Sequence, residues 1–177
     1  MRIDDADTLV RDLPSLLKRF IRDPLNAVKN PIRLSWTAAL LLQGGGAALS
    51  GIFAALIAQS MLDLIISIAV FPVVAVMVCA VLTLFFYYLF AGFTSTFLDI
   101  RRLYSLVVMA TLPFFIIHAF SGFLAPLDLI GFALSGILLT VGLVEQFKLD
   151  RRFVFKLLAW IFAVFFVLWS IVQIVRP

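Results

Sequence analysis

From Leu34 onward the chain is a succession of long stretches without a formal charge, and no other feature limits its fold so strongly. Leu34–Leu62, Leu64–Leu98, Leu103–Leu127 and Leu129–Val144 hold no Asp, Glu, Lys or Arg, and a fifth apolar segment runs from about Arg152 to Val175. A helix needs about 20 apolar residues to cross a hydrocarbon core roughly 30 Å thick, and in lipid its backbone amides must be bonded within the segment. The stretches therefore predict membrane-spanning helices at about 34–58, 66–92, 103–125, 128–145 and 152–175. Two of these are awkward. The second stretch, at 35 residues, is too long for one upright span and too short for two with a turn, and the fourth has only 16 uncharged residues before Glu145. Composition points the same way: 14% of the 177 residues are charged, against about 25% in soluble domains. The expectation is an all-α, polytopic transmembrane helical bundle of five spans, preceded by a cytoplasmic N-terminal segment over 1–33.

That segment carries seven Lys/Arg and five Asp before the first long apolar run, which argues against a secretory signal peptide. Leu13, Leu16, Leu17, Phe20, Ile21, Leu25 and Val28 recur at helical spacing, with Lys18, Arg19, Arg22 and Lys29 placed elsewhere. The pattern predicts an amphipathic interfacial helix, its apolar face in the membrane and its cations among anionic lipid headgroups. Docking onto the protein's own cytoplasmic loops is the plainer alternative. Asp23-Pro24 and Asn30-Pro31 each pair a good N-cap residue with a proline at the first helical position, so each predicts a break and a fresh helix start. Lys and Arg resist translocation, and thirteen of the fourteen fall on one side of a five-span arrangement, leaving Arg176 alone on the other. This places the N-terminus in the cytoplasm and the C-terminus outside. The net charge of +4 is accordingly read as orientation and headgroup contact, with no nucleic-acid partner.

Polar groups inside a membrane cost several kcal/mol unless partnered, which makes each a candidate for function. His118, deep in the third stretch, is either a neutral histidine bonded to a neighbouring helix or a proton relay. Asp63 and Asp128 lie at non-cytoplasmic span ends, where they are either simply hydrated or share a cation or proton. Glu145 has Lys148, Arg101 and Arg102 within reach as ordinary partners. Gln43-Gly44-Gly45-Gly46 interrupts the first span with three consecutive glycines, each weakening a helix by roughly 1 kcal/mol relative to alanine. Either these are for close packing, or they break the helix beside a substrate or ion path. The rows Gly46, Ser50, Ala54, Ala58 and Ala47, Gly51, Ala55 favour packing, because small residues let lipid-embedded helices approach. Pro72 and Pro113 predict kinks. The single Cys79 excludes an intramolecular disulfide. With no HExxH, GxSxG, phosphate loop or CxxC, neither catalysis, a metal nor a cofactor is expected.

Three passages give the chain a likeness beyond its hydropathy: FIRDPLNAVKNP ahead of the first span, RRLYSLVVMATLPFFIIHAF in the third, and LSGILLTVGLVEQFKLDRRFVFKLLAW from the fourth into the fifth. Through them it resembles the Yip family, five-span integral membrane proteins named for interaction with Ypt/Rab GTPases. The resemblance implies a membrane scaffold or partner-binding protein, acting through a protein partner or as a homo-oligomer, and it brings no active-site residue. The long acidic or proline-rich cytosolic tail of eukaryotic members is missing, which turns the expectation toward a member in a bacterial inner membrane and away from Rab binding. A small transporter or channel, with a pathway past Gly44–Gly46 and His118, is the alternative.

Overall fold

The computed structural model describes residues 2–3, 6–29, 33–94, 98–124 and 127–175, and the described chain is almost wholly helical. Among the described residues eight helices follow in order: α1 (Ala6–Arg22), α2 (Pro24–Lys29), α3 (Trp36–Ala58), α4 (Met61–Ala69), α5 (Phe71–Thr94), α6 (Ile100–His118), α7 (Leu127–Phe147) and α8 (Arg151–Val175). Arg2–Ile3 pairs in parallel with Arg33–Leu34 as a two-residue bridge. Four helices among the described residues, α3, α5, α6 and α7, are long and apolar enough to cross a membrane, which makes this an integral membrane protein by architecture. α6 is the centre of the bundle: 61% of its apolar window is buried, against 33%, 28% and 33% for the other three.

The helix boundaries have local causes. Asp23, Ser35, Ser60, Asp99 and Asp150 each accept a backbone N–H from the first turn of the following helix, satisfying a donor that the helix cannot pair itself. α3 ends where Gln59 adopts a left-handed backbone, φ 53°, and returns its N–H to Ala55 and Leu56. Lys148, directly after α7, also has a positive φ, 57°. The break after Arg22 falls at Asp23-Pro24 as the sequence predicts. The predicted start at Asn30-Pro31 lies outside the described residues, and the helix that follows begins at Trp36 under a Ser35 cap.

Two expectations are corrected. The second apolar stretch is not one helix over 66–92 but α4 and α5, joined at Val70. Pro72 has no N–H for the Ile68 carbonyl and its ring crowds that turn, so it opens a helix here and does not kink one. Secondly, Gly44–Gly46 do not break the first span, because α3 runs through them unbroken from Trp36 to Ala58. A Cβ at Gly44 or Gly45 would meet nothing within 4 Å. Gly45→Ala is therefore expected to raise stability by at most about 1 kcal/mol, through helix propensity alone, as a small rise in melting temperature in detergent.

The apolar face of α1 also departs from expectation. Of the predicted apolar periodicity across α1 and α2, Leu16, Phe20 and Val28 are buried, with Ala27, in the same core as Leu34, Ala38, Leu103 and Leu143 and so are covered by the bundle, while Ile21 and Leu25 stay exposed. Lys18, Arg19, Arg22 and Lys29 are exposed.

Candidate functional site

Five small or polar residues, Ala39, Gln43, Ala47, Gly51 and Ala55, form one buried i, i+4 row on α3. At the upper part of the row, a Cβ on Gly51 would lie 2.8 Å from Ser67 Cβ of α4 and 3.1 Å from the Phe71 ring at the start of α5. On the neighbouring row a Cβ on Gly46 would lie 3.3 Å from the Phe115 ring of α6. Ser50 donates to its own helix at Ala47 O, and Ala54 turns its carbonyl toward Gly122, whose Cβ would lie 2.6 Å from it. The packing row predicted from sequence thus faces two partners, α4–α5 through Gly51 and α6 through Gly46. Sequence reasoning missed a second close approach, between α6 and α7. A Cβ on Gly131 would lie 3.1 Å from Phe114 Cα, and one on Gly142 would collide with Leu106 of α6 and Val28 of α2. The signal was present as Gly131, Ser135 and Gly142, which share one face of α7.

Gln43 is the polar centre of the bundle. Its side chain is 0% exposed. Nε2 donates to Ala75 O of α5 at 2.7 Å, and Oε1 accepts the Tyr104 hydroxyl of α6 at 2.9 Å. One amide thereby ties three membrane-crossing helices, with Trp36 lying 5.3 Å from the Tyr104 ring.

His118 ends α6, and its Nδ1 lies 2.7 Å from Asp128 Oδ1 in the first turn of α7. The ring sits between Phe71, at 4.9 Å, and Phe114, stacked at 5.4 Å. Ser121 Oγ is 3.3 Å from the same Nδ1. A catalytic triad needs the serine on the other ring nitrogen, so these three residues do not form one. What they form is a clasp between the end of α6 and the start of α7. His118→Gln and Asp128→Asn should each cost about 1–2 kcal/mol in thermal unfolding, reduced from a fully buried pair by partial solvent screening, and the double variant should lose little more than either alone. Asp128 is thus engaged by His118, and Asp63 stands exposed in the first turn of α4. No group of three or more metal-ligating side chains occurs among the described residues.

At the opposite end, Arg101 Nε donates to Leu34 O at 3.1 Å and Arg102 Nη2 to Gln146 O at 3.1 Å. The Arg102 guanidinium also lies over the Phe147 ring at 5.2 Å. Gln146 Nε2 donates to Val28 O, which fastens α2 to the end of α7. A shallow cleft between Ala27, Val28, Arg102, Met109 and Gln146 marks this junction. Phe153 packs on Phe90 and Phe93, bringing the start of α8 to the same end. The described cations of α1, α2, α6 and the α7–α8 connection therefore gather at one end of the bundle, and His118, Asp128 and Gly122 at the other. Glu145 pairs with Lys148 at 3.9 Å, the ordinary partner.

Compared with protein-family models, with curated proteins and with solved structures, the chain gives no significant match.

Proposed function

We propose that this is a Yip-like integral membrane protein of five spans, seated in a bacterial inner membrane and working as a membrane scaffold or partner-binding protein. α8 supplies the fifth span: its 25 residues extend about 37 Å, and Phe132 of α7 stacks on its Phe162 and Phe165. The N-terminus is cytoplasmic and the C-terminus outside, because the basic end of the bundle belongs on the cytoplasmic side. Anionic headgroups are its lipid partners there, and a protein partner or second copy is its functional one.

One observation carries the scaffold reading. The strongly polar side chains inside the bundle bond one another, Gln43 with Tyr104 and Ala75 O, and His118 with Asp128. A static bundle needs that arrangement, whereas a transporter needs such groups turned toward its cargo. The rival pathway past Gly44–Gly46 also requires an interrupted helix, and α3 is continuous there.

Cross-linking followed by detergent pull-down from native membranes should recover a stoichiometric partner or a second copy. A ligand-dependent melting shift together with uptake into proteoliposomes would favour the transporter instead. Orientation is read by labelling single cysteines from outside the cell: those at Asp63, Asp128 and Pro177 should react, and those at Arg101 and Arg151 should not. Labelling at Arg151 without labelling at Pro177 removes the five-span arrangement.

A further inference from the structure

With Leu16, Phe20, Ala27 and Val28 covered by the bundle, the face that α1 and α2 leave outward has its own pattern. Lys18, Ile21, Arg22, Leu25 and Lys29 are exposed and follow one another at i, i+3, i+4, i+7 and i+11 across the α1–α2 junction, alternating cation and apolar side chain. Ile21 is 70% and Leu25 45% exposed. The backbone carries this face through the junction, since Asp23 N donates to Arg19 O and Ala27 N to Asp23 O.

Among the described residues, the carboxylates of the N-terminal helices and of the loops at this end are engaged elsewhere. Asp23, Asp99 and Asp150 accept backbone amides at helix starts, Asp12 pairs with Arg11 at 3.5 Å, and Glu145 pairs with Lys148. Among the described residues, Lys18, Arg22 and Lys29 have no carboxylate within 4.0 Å. The surface is also fixed in position. Gln146 holds Val28 O at the end of α7, and Val28 packs against Gly142, so α2 sits where membrane-crossing helices end.

We propose that this outward face is a docking surface for anionic phospholipid headgroups of the protein's own membrane, with Lys18, Arg22 and Lys29 on phosphates and Ile21 and Leu25 at the acyl boundary. Charge complementarity decides the occupant, because a cation-rich face at the level of the span ends has anionic lipid as its nearest counter-charge. The two apolar side chains suit the boundary better than water. Membrane binding by this segment then uses the side away from the buried Leu16, Phe20 and Ala27, where Ile21 and Leu25 are the members of its hydrophobic periodicity that stay outside the core. The inference rests on the membrane-embedded reading above.

The test uses the full chain in nanodiscs of phosphatidylcholine, alone or mixed with phosphatidylglycerol, in a Cys79→Ala background. Single cysteines replace Ile21, Leu25 or, as a control, the outward-facing Val81 of α5, and each carries an environment-sensitive fluorophore. With anionic lipid, positions 21 and 25 should be quenched by headgroup-labelled lipid about twofold more than without it, and salt or a Lys18→Gln/Arg22→Gln/Lys29→Gln variant should remove the difference. Equal quenching in both lipids overturns the charge-led docking. Ready quenching at 21 and 25 by aqueous iodide, whatever the lipid, overturns lipid docking altogether and leaves an acidic protein as the occupant. Val81 separates the two failures. Quenched by chain-labelled lipid, it keeps the embedded reading whatever positions 21 and 25 do, and unquenched, it removes that reading first.

Discussion

Leucine at Gly51 is expected to lower the melting temperature of the detergent-solubilised protein more than any other single small-to-large change on α3. The first added carbon already lies 2.8 Å from Ser67 Cβ, an atom fixed to the α4 backbone that cannot swing away as a side-chain tip would. α4 must therefore move, and the Phe71 ring 3.1 Å from the same point must move with it. Phe71 is one of the two rings against His118, so the displacement should also loosen the clasp at the end of α6. Overpacking of this kind costs about 1–3 kcal/mol, and more where backbone has to shift. Leu41→Ile, on the exposed side of the same helix, should be nearly silent. A Gly51→Leu protein melting with the wild type would remove close packing as the reason for that glycine.

A second large effect should follow from removing the Gln43 amide, and part of it should be recovered in the double variant. Gln43→Leu leaves the buried Tyr104 hydroxyl without its acceptor, at a cost of about 1–3 kcal/mol. Tyr104→Phe strands the amide oxygen in the same way. When both are changed, both orphans disappear, so the double variant should be more stable than the sum of the singles implies, by about 1 kcal/mol. The measurement is a thermal or denaturant double-mutant cycle in one detergent. Simple additivity would mean that the two side chains do not depend on one another, and the tie between α3 and α6 would have to lie elsewhere.

Much of this architecture can be read from spacing and charge. The uncharged stretches locate the long helices because lipid leaves an apolar helix as the only economical way to carry a backbone across. The gathering of cations at one end follows from counting them, and close packing at Gly46 and Gly51 from the i, i+4 rows. What spacing could not deliver were pairings between helices. The sequence allows His118 a partner on a neighbouring helix but does not name it, and that partner, Asp128, lies ten residues later at the start of the next helix, brought near because both belong to the same end of the bundle. The hold of Gln146 on Val28 O joins residues 118 apart through a backbone carbonyl, and a carbonyl has no sequence signature. The periodicity of Leu13 to Val28 announces an apolar face but does not say whether lipid or protein covers it, since both reward the same pattern. Pro72 was visible as a disruption, but whether a proline bends a helix or starts a new one depends on what the turn before it packs against.

The central position of α6 has a consequence for the order in which the protein comes into being. Synthesis delivers α3 and α5 before α6, against which both of them pack. At that stage Gln43 can already donate to Ala75 O, but its other amide atom has no hydroxyl to accept, and the small-residue notch at Gly46 has no Phe115 to fill it. A nascent chain halted after Thr94 thus holds α1 to α5 with one unanswered polar group and one open groove, both of which α6 fills. Both are closed by the same helix, so the arrival of α6 completes the polar tie and the packing in a single step.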